Sequence, residues 1–326
     1  MIAPLLYNAS ITGFSISAAF EIGLFDQLLH SIKGIDLVSF CKDKNLDFNS
    51  TKSMIFSLQC FDILNFDPLT IMVSKGAEFD QIYENKGYFL WMLKGYGKCL
   101  MDFPKLLSHQ NYSFERDGGA IAIAGKDYGE FHIDSYVETI LAEITWTKIA
   151  DLGCGSANRI LQIAKKWNCQ ALGVEIVPDA VAIAKEAIIS AGMENSVQIS
   201  QGDINQLTPK KEFEDVDLIT SFFNGHDLWP RENCINIFRH LKTCFPKLKY
   251  FLFCDTFRSD LPPSQEIPMF TLGFEILHSF MRQYIPSIDE WRSLFNEAGW
   301  DCIQEVETGI PYTNIFLLIP INTPDL

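Results

Sequence analysis

Hydrophobic side chains follow two different periods along the chain, and the change falls near residue 145. Before this point the spacing is helical, because Phe14, Ala18 and Ile22 share one face of a pattern that predicts a helix over residues 14–29. After it, short apolar stretches alternate with helical patterns, which is typical of a parallel sheet covered by helices. The chain therefore predicts two regions of different architecture.

The first region also predicts two further helices and a small hairpin. A short helix begins at Asp36, and either Asn49 or Ser50 is expected to cap the next one. Residues 63–66 and 69–73 predict two short strands joined by a turn. Three helices and a hairpin are the elements of a winged helix, so we expect a mainly α-helical, winged-helix-like arrangement here.

The second region predicts five buried strands separated by helices. These strands are expected at residues 148–150, 171–175, 197–200, 217–222 and 250–254. Two more, 302–307 and 314–319, are expected to form an antiparallel pair at the sheet edge. We therefore assign residues 1–110 to the helical domain and residues 111–326 to an α/β domain with a doubly wound sheet.

The charge of the chain argues against two kinds of partner. Its 326 residues include 26 Lys and Arg against 41 Asp and Glu, a net charge of −15. Residues 1–75, which contain the winged-helix pattern, carry five Lys, no Arg and seven acidic residues. Such a balance repels phosphate backbones and anionic lipids, so we expect neither nucleic acid nor a membrane as partner.

Cysteine usage and the apolar stretches bear on location. The nine cysteines include no C-x-x-C pair, which favours reduced thiols and a cytoplasmic protein. The first twenty residues lack the basic start of a secretory signal, and no stretch approaches the roughly 18 uninterrupted apolar residues of a membrane span.

A glycine-containing loop follows the first predicted strand and begins a helix. Asp151 ends that strand, and Gly153 and Gly155 allow the backbone to turn tightly and approach a ligand. Glu175 ends the next strand, where a carboxylate can accept hydrogen bonds from ribose hydroxyls. Asp203 follows the third strand and could accept a hydrogen bond from an adenine amino group. This pattern predicts a nucleotide-type cofactor site.

Two cofactor classes compete for this loop. A dinucleotide site requires a third glycine where the chain has Asn158, and Asp151 would repel a pyrophosphate. The sulfonium and ammonium groups of S-adenosylmethionine fit an acidic site better. From Ile149 to Leu318 the sequence resembles the class I S-adenosylmethionine-dependent methyltransferases, which implies a Rossmann-like sheet. The cofactor-binding residues predicted on this basis are Asp151, Gly153, Gly155, Glu175, Asp203, Ile204 and Phe222.

The stretch after the fourth strand carries the candidate chemistry. Ligands of an open α/β sheet lie at the carboxyl ends of its strands, so His226 and Asp227 should face the transferable methyl group. Residues 18–26 and 226–237 resemble the O-methyltransferases that have a winged-helix dimerisation domain. This resemblance implies a homodimer, and it implies that His226 removes a proton from a hydroxyl group.

A second histidine changes the chemistry that these residues predict. His278 lies 52 residues beyond His226 in a helical pattern, and His226, Asp227 and His278 together are the ligand types of a facial triad on non-haem iron. Their order resembles that of the iron-dependent α-keto-acid C-methyltransferases. This resemblance implies methyl transfer to C3 of an α-keto acid bound by the iron.

Three interpretations of these residues stay open on sequence alone. The three side chains could bind iron, His226 could act as a base without metal, or His278 and Asp227 could be a packed histidine and a helix cap. Arg116 precedes the second region, and its guanidinium is a candidate to pair with a substrate carboxylate.

Overall fold

The protein is described here from a computed structural model that covers residues 2–108 and 115–321. The chain divides into two compact units. The described part of the first unit comprises residues 2–103 and 115–128, and that of the second comprises residues 104–108 and 129–321. The boundary predicted at residue 110 lies outside the described residues.

The first unit is mainly helical and carries one small antiparallel sheet. Its helices are α1 (Ile2–Glu21), α2 (Leu24–Leu29), α3 (Leu37–Asp43), α4 (Phe48–Gln59), α5 (Phe79–Leu90) and α6 (Gly97–Met101). The sheet has the order β1-β3-β2, with β1 at Ile35–Asp36, β2 at Leu64–Asp67 and β3 at Met72–Lys75. The predicted helices and hairpin are therefore present, while their classification as a winged helix stays a prediction.

Two local predictions in this unit are wrong. The helix expected over residues 14–29 is two helices, because Gly23 adopts a left-handed conformation with φ of 75° and ends the first. The cap of α4 is Asp47, whose Oδ1 accepts the Ser50 backbone N–H at 2.7 Å, and Asn49 already lies inside the helix. Helix α3, predicted to begin at Asp36, begins at Leu37 with Asp36 as its cap.

A π-helical turn at Trp91–Gly95 lies between α5 and α6, within residues 83–101, for which the sequence predicts one connecting helix. Three further helices had no counterpart in the sequence prediction, and the first of them is α7 (Phe103–Leu106). Helix α8 (Gly118–His132) spans the boundary between the two units, and α9 (Asp134–Glu143) belongs to the second. A short connection after α9 leads into the first strand of the second unit.

The second unit is a seven-stranded mixed sheet with flanking helices. Its strands are β4 (Lys148–Leu152), β5 (Gln170–Glu175), β6 (Val197–Gln201), β7 (Leu218–Phe222), β8 (Tyr250–Thr256), β9 (Trp300–Glu307) and β10 (Thr313–Pro320). Its further helices are α10 (Asn158–Trp167), α11 (Pro178–Ala191), α12 (Arg231–Cys244), α13 (Thr271–Phe280) and α14 (Ile288–Glu297). The order β6-β5-β4-β7-β8-β10-β9 is that of class I methyltransferases, which confirms the predicted fold class.

The terminal strands form the antiparallel pair that was predicted for the sheet edge. Strand β10 pairs with both β8 and β9, and its first six residues are buried. Strand β9 pairs with β10 alone, and after the buried Trp300 its side chains alternate between exposed and partly buried positions. A continuous apolar run inside the sheet and an alternating one at its edge are the expected signatures of these two positions.

No helix among the residues that the structure describes is both long and apolar enough to cross a membrane. The cytoplasmic location stays a prediction of the sequence.

Candidate active site

The glycine loop lies where the order of the parallel strands reverses. Strand β4 stands between β5 and β7, and ligands of open α/β sheets bind at such a switch point. Gly153 has φ of 79°, and a Cβ there would lie 2.2 Å from Nδ2 of Asn224. Gly155 has φ of 54° with open space around its Cα. Only glycine therefore fits Gly153, and Gly155 keeps the outer side of the loop clear for a ligand.

Asn224 forms hydrogen bonds to the ends of two neighbouring strands, β4 and β7. Its Nδ2 donates hydrogen bonds to the carbonyl oxygens of Leu152, at 3.2 Å, and Phe222, at 2.8 Å. These carbonyls belong to the last residues of β4 and β7. Asn224 thus joins the cofactor loop to the segment that carries His226.

Asp151 is a buried carboxylate at the end of β4. Its Oδ1 accepts the hydroxyl of Thr220 on the neighbouring strand at 2.6 Å, and 4% of the residue is exposed. Burial raises the pKa of Asp151 to about 6, although the Thr220 hydroxyl and the nearby Arg159 favour the ionised form. An ionised carboxylate in this position gains stability from a bound cation, and S-adenosylmethionine brings two cationic groups.

Glu175 and Asp203 follow the next two strands. Glu175 Oε2 accepts the Gly155 N–H at 2.9 Å, and its Oε1 accepts the Val177 N–H at 2.8 Å. Asp203 Oδ1 accepts the Asn205 N–H at 2.9 Å and begins a short turn at Ile204. Both carboxylates are thus fixed by backbone donors and keep lone pairs that a ligand's hydroxyl or amino group could use. We call Asp151, Glu175 and Asp203 the cofactor half of the site.

Phe222 carries a cationic neighbour that the sequence analysis missed. The guanidinium carbon of Arg159 lies 3.9 Å from the centre of the buried Phe222 ring. Arg159 Nε also donates to Oδ1 of Asp134 at 2.7 Å. The position of Arg159 in the first turn of the helix after the glycine loop was a signal available in the sequence.

His226 is held by an acid that the sequence analysis also missed. Its Nδ1 lies 2.7 Å from Oδ1 of Asp255, and its backbone N–H donates to Oδ2 of the same carboxylate at 2.8 Å. Asp255 is fully buried near the end of β8. Because a carboxylate accepts hydrogen bonds, we infer that Nδ1 carries the proton and Nε2 carries the basic lone pair. An acid ending the apolar run of the fifth predicted strand was the available signal.

His278 meets His226 across the site. It lies on α13, 3% exposed, and its ring centre is 4.8 Å from that of His226 in an edge-on arrangement. Its Nδ1 lies 2.7 Å from the carbonyl oxygen of Phe274. A carbonyl is also an acceptor, so the same inference gives a protonated Nδ1 and a basic Nε2. We call His226, Asp255 and His278 the chemical half of the site.

Asp227 is the remaining member of the predicted ligand set. Its Oδ1 lies 4.0 Å from Nε2 of His226 and accepts a hydrogen bond from the side-chain amide of Gln283. The Asp227 side chain is 43% exposed. Within residues 2–108 and 115–321, no three or more His, Cys, Asp or Glu side chains are grouped so that they could hold a metal ion. The predicted ligands are therefore neighbours without forming a complete ligand arrangement.

The donor chemistry of these side chains nonetheless suits a metal. Metal-binding histidines usually donate their other ring N–H to a carboxylate or a backbone carbonyl, as His226 and His278 do here with Asp255 and Phe274. Two neutral imidazoles and one carboxylate match the ligand types of non-haem iron.

Arg116, the candidate for a substrate carboxylate, is exposed and lies two residues before the start of α8 in the first unit. Its predicted role stays a prediction.

Comparison with known proteins identifies the family of the chain. A family model described as a methyltransferase domain matches residues 149–245. The chain is 31% identical over 314 residues to methyltransferase ungE' of Aspergillus campestris (strain IBT 28561), covering 92% of this chain and 91% of that protein. It is 29% identical over 205 residues to an indolepyruvate C-methyltransferase of Streptomyces griseus, covering 62% and 60% of the two chains.

Solved structures share the fold at low sequence identity. Human N-acetylserotonin methyltransferase in complex with SAM aligns with a TM-score of 0.66 and 16% identity over 98% of both chains. The mitomycin 7-O-methyltransferase MmcR aligns with a TM-score of 0.63 and 13% identity over 98% of this chain and 96% of its own. With a relative that matches nearly the whole length, the chain belongs to the S-adenosylmethionine-dependent methyltransferases.

Proposed function

We propose that the protein transfers the methyl group of S-adenosylmethionine to C3 of an α-keto acid. The observation that carries this proposal is the pairing of His226 with His278, each with Nδ1 bonded to an acceptor so that its Nε2 is basic. The similarity to an indolepyruvate C-methyltransferase supports the same substrate class, since indolepyruvate is an α-keto acid.

In this proposal the cofactor half holds S-adenosylmethionine, which supplies an electrophilic methyl group on its sulfonium. The ionised Asp151 attracts the ammonium group of the cofactor, while Glu175 and Asp203 accept hydrogen bonds from its ribose and adenine. Gly153 and Gly155 allow close approach of the backbone, and Ile204 and Phe222 contribute apolar contacts. These residues hold the methyl group for in-line displacement, a step that depends mainly on geometry.

The proposed metal ligands are His226, Asp227 and His278, and the proposed metal is non-haem iron. When bound, iron supplies Lewis-acid stabilisation of negative charge on the keto acid. Asp255 and the Phe274 carbonyl keep both imidazoles in the required tautomer. C3 first loses its proton to solvent water. The C3 carbon then attacks the methyl carbon, so that the new C–C bond forms as the methyl–sulfur bond breaks and S-adenosylhomocysteine leaves as the neutral thioether.

A second candidate is metal-free O-methylation of a phenol or enol with His226 as the base. The contact between His226 and Asp255 favours it, because a buried carboxylate on Nδ1 stabilises the imidazolium that forms when Nε2 takes the hydroxyl proton. In this case His278 would be a packing residue.

We also propose a homodimer, with the N-terminal helical unit as the contact. Helix α1 exposes a set of large apolar side chains that a second copy could cover, namely Ile2, Leu5, Leu6, Tyr7, Ile11 and Phe14. Arg116 is the proposed partner of the keto acid's carboxylate.

The main test is an assay of the purified enzyme against a panel of α-keto acids and phenols, with the mass and methyl position of each product determined. Metal content is measured beside it for the wild type, for His278→Ala and for the control His240→Ala, which removes an exposed histidine. We expect His278→Ala to lose both iron and C-methylation, with the control unchanged. Full activity in a metal-free wild type, with His278→Ala still active, would favour the metal-free base.

A further inference from the structure

Arg159 is a largely buried cation beside the cofactor loop. It is the second residue of α10, and its side chain is 16% exposed. Two contacts fix the plane of its guanidinium: Nε donates to the buried Asp134, and one face lies on the Phe222 ring. A guanidinium held in this way is pre-organised for a planar partner.

The outer edge of this guanidinium has no protein partner in the described part of the chain. Of its three nitrogens only Nε is used, and Nη1 and Nη2 make no hydrogen bond to residues 2–108 or 115–321. Two parallel N–H donors on one edge match the two oxygens of a carboxylate. Neither nitrogen is a buried polar atom without a partner, so both reach solvent and are available to a ligand.

Gly129 keeps this edge accessible. It lies in α8, and a Cβ there would stand 2.6 Å from Nη2 of Arg159 and 3.8 Å from its Cζ. Any side chain at this position would therefore displace the guanidinium or cover its Nη2. Because Gly129 has no side chain, the space in which a carboxylate could pair with the Arg159 guanidinium stays open.

The electrostatic neighbours of Arg159 indicate which ligand carboxylate its guanidinium binds. Arg159 interacts electrostatically with Asp151 and with Cys254, which lie near the carboxyl ends of β4 and β8. The methionine end of S-adenosylmethionine carries an ammonium and a carboxylate on one carbon. An acid in the strand before the glycine loop and a base in the helix after it are the complementary pair for that zwitterion.

We propose that Arg159 binds the methionine carboxylate of S-adenosylmethionine through Nη1 and Nη2, with Asp134 and Phe222 orienting its guanidinium. This proposal rests on the cofactor of the family and is independent of the acceptor. It leaves the substrate carboxylate to a different residue.

The test compares two nucleosides that differ in the amino-acid end. S-adenosylhomocysteine has the carboxylate and 5′-methylthioadenosine lacks it, and both are titrated calorimetrically into the full-length protein. We expect Arg159→Met to weaken S-adenosylhomocysteine binding by about 10- to 100-fold, the range of charged hydrogen bonds. The affinity for 5′-methylthioadenosine should stay within about twofold. Arg292→Met, which removes an exposed arginine paired with Glu305, is the matched control.

A second variant tests the same contact without removing the charge. Gly129→Ala places a methyl group against Nη2 and suits a helix, so the fold should be retained. We expect Gly129→Ala to weaken the binding of S-adenosylhomocysteine and to leave the binding of 5′-methylthioadenosine unchanged. Equal losses for both nucleosides would mean that Arg159 only shapes the loop.

An unchanged affinity for S-adenosylhomocysteine, with a raised KM for the acceptor, would assign Arg159 to the acceptor's carboxylate. Either result would overturn the proposal. Failure of C-methylation in the product assay would leave these binding results intact, so the two proposals fail separately.

Discussion

Glu175 and Asp203 in the cofactor half and His226 in the chemical half are held by different means. Glu175 and Asp203 are fixed by backbone N–H groups of nearby residues. The His226 ring is held by the side chain of Asp255, and the His278 ring meets it from a separate helix. Backbone donors are present whatever the side chains are, whereas contacts between side chains depend on each residue. Glu175 and Asp203 should therefore keep their positions when neighbouring side chains are substituted, whereas the His226 ring should lose its orientation without Asp255.

The largest effect is expected from His226→Ala. Loss of the imidazole removes either a metal ligand or the base, so the rate of methyl transfer should fall by about 10²- to 10⁴-fold. Because the cofactor half is untouched, S-adenosylhomocysteine should bind with unchanged affinity by calorimetry. A parallel loss of cofactor binding would show that the two halves are not separable.

Asp255→Asn should give a smaller but still substantial loss. The Asp255 carboxylate contacts three groups: the backbone N–H groups of His226 and Thr256, and Nδ1 of His226. An Asn side chain has only one acceptor oxygen, so its NH2 group would face at least one of these donors. This arrangement disfavours the tautomer of His226 that carries its proton on Nδ1. We expect kcat to fall by about 10²-fold, by analogy with other carboxylate–histidine pairs, with cofactor affinity preserved. Asp215→Asn, which changes an exposed acid paired with Lys247, is the control and should have no effect.

Asp151→Asn should have the smallest effect on catalysis and a distinct dependence on pH. Since the pKa of Asp151 is about 6, wild-type affinity for S-adenosylhomocysteine should fall as the pH drops through 6 and the carboxylate is neutralised. The Asn variant should bind about tenfold more weakly at pH 8 and show no such pH dependence. Calorimetric titrations between pH 5 and pH 8 make this measurement; a pH-dependent variant would implicate a different group.

The same variant should make the unliganded protein more stable. A carboxyl group whose pKa rises on folding destabilises the folded state once the pH exceeds the pKa that the group has in the unfolded chain. For Asp151 this loss in the free energy of unfolding grows between pH 3.8 and about 6. At pH 7 Asp151→Asn should therefore raise the free energy of unfolding by roughly 2 to 3 kcal/mol, at about 1.4 kcal/mol per pKa unit. Chemical denaturation at pH 7 and pH 4 provides the test, since the gain should shrink at the lower pH.

Sequence alone predicted the residues of the proposed cofactor half and only some of those of the proposed chemical half. Gly153, Gly155 and Glu175 could be predicted because a strand, a tight loop and a helix have a recognisable order in any chain with this sheet. Asp255 was missed, because an acid after an apolar strand is common and its partner is 29 residues away.

The local errors have a similar origin. Asp47, Asn49 and Ser50 are all good capping residues, so composition cannot choose among them, and the backbone conformation of Asp47 decides. Arg159 was missed because its partner Asp134 lies in α9, a helix that the sequence analysis did not anticipate.

The position of Asn224 has a consequence for how the enzyme can change over evolution. Its amide spans the ends of β4 and β7 and lies against Gly153, so any residue larger than glycine at position 153 must move it. Asn224 precedes His226 by only two positions. A mutation at position 153 that adapts the loop to another nucleoside would therefore move Asn224 and also disturb His226. The specificity for the cofactor and the specificity for the acceptor are thus coupled through the Asn224 side chain.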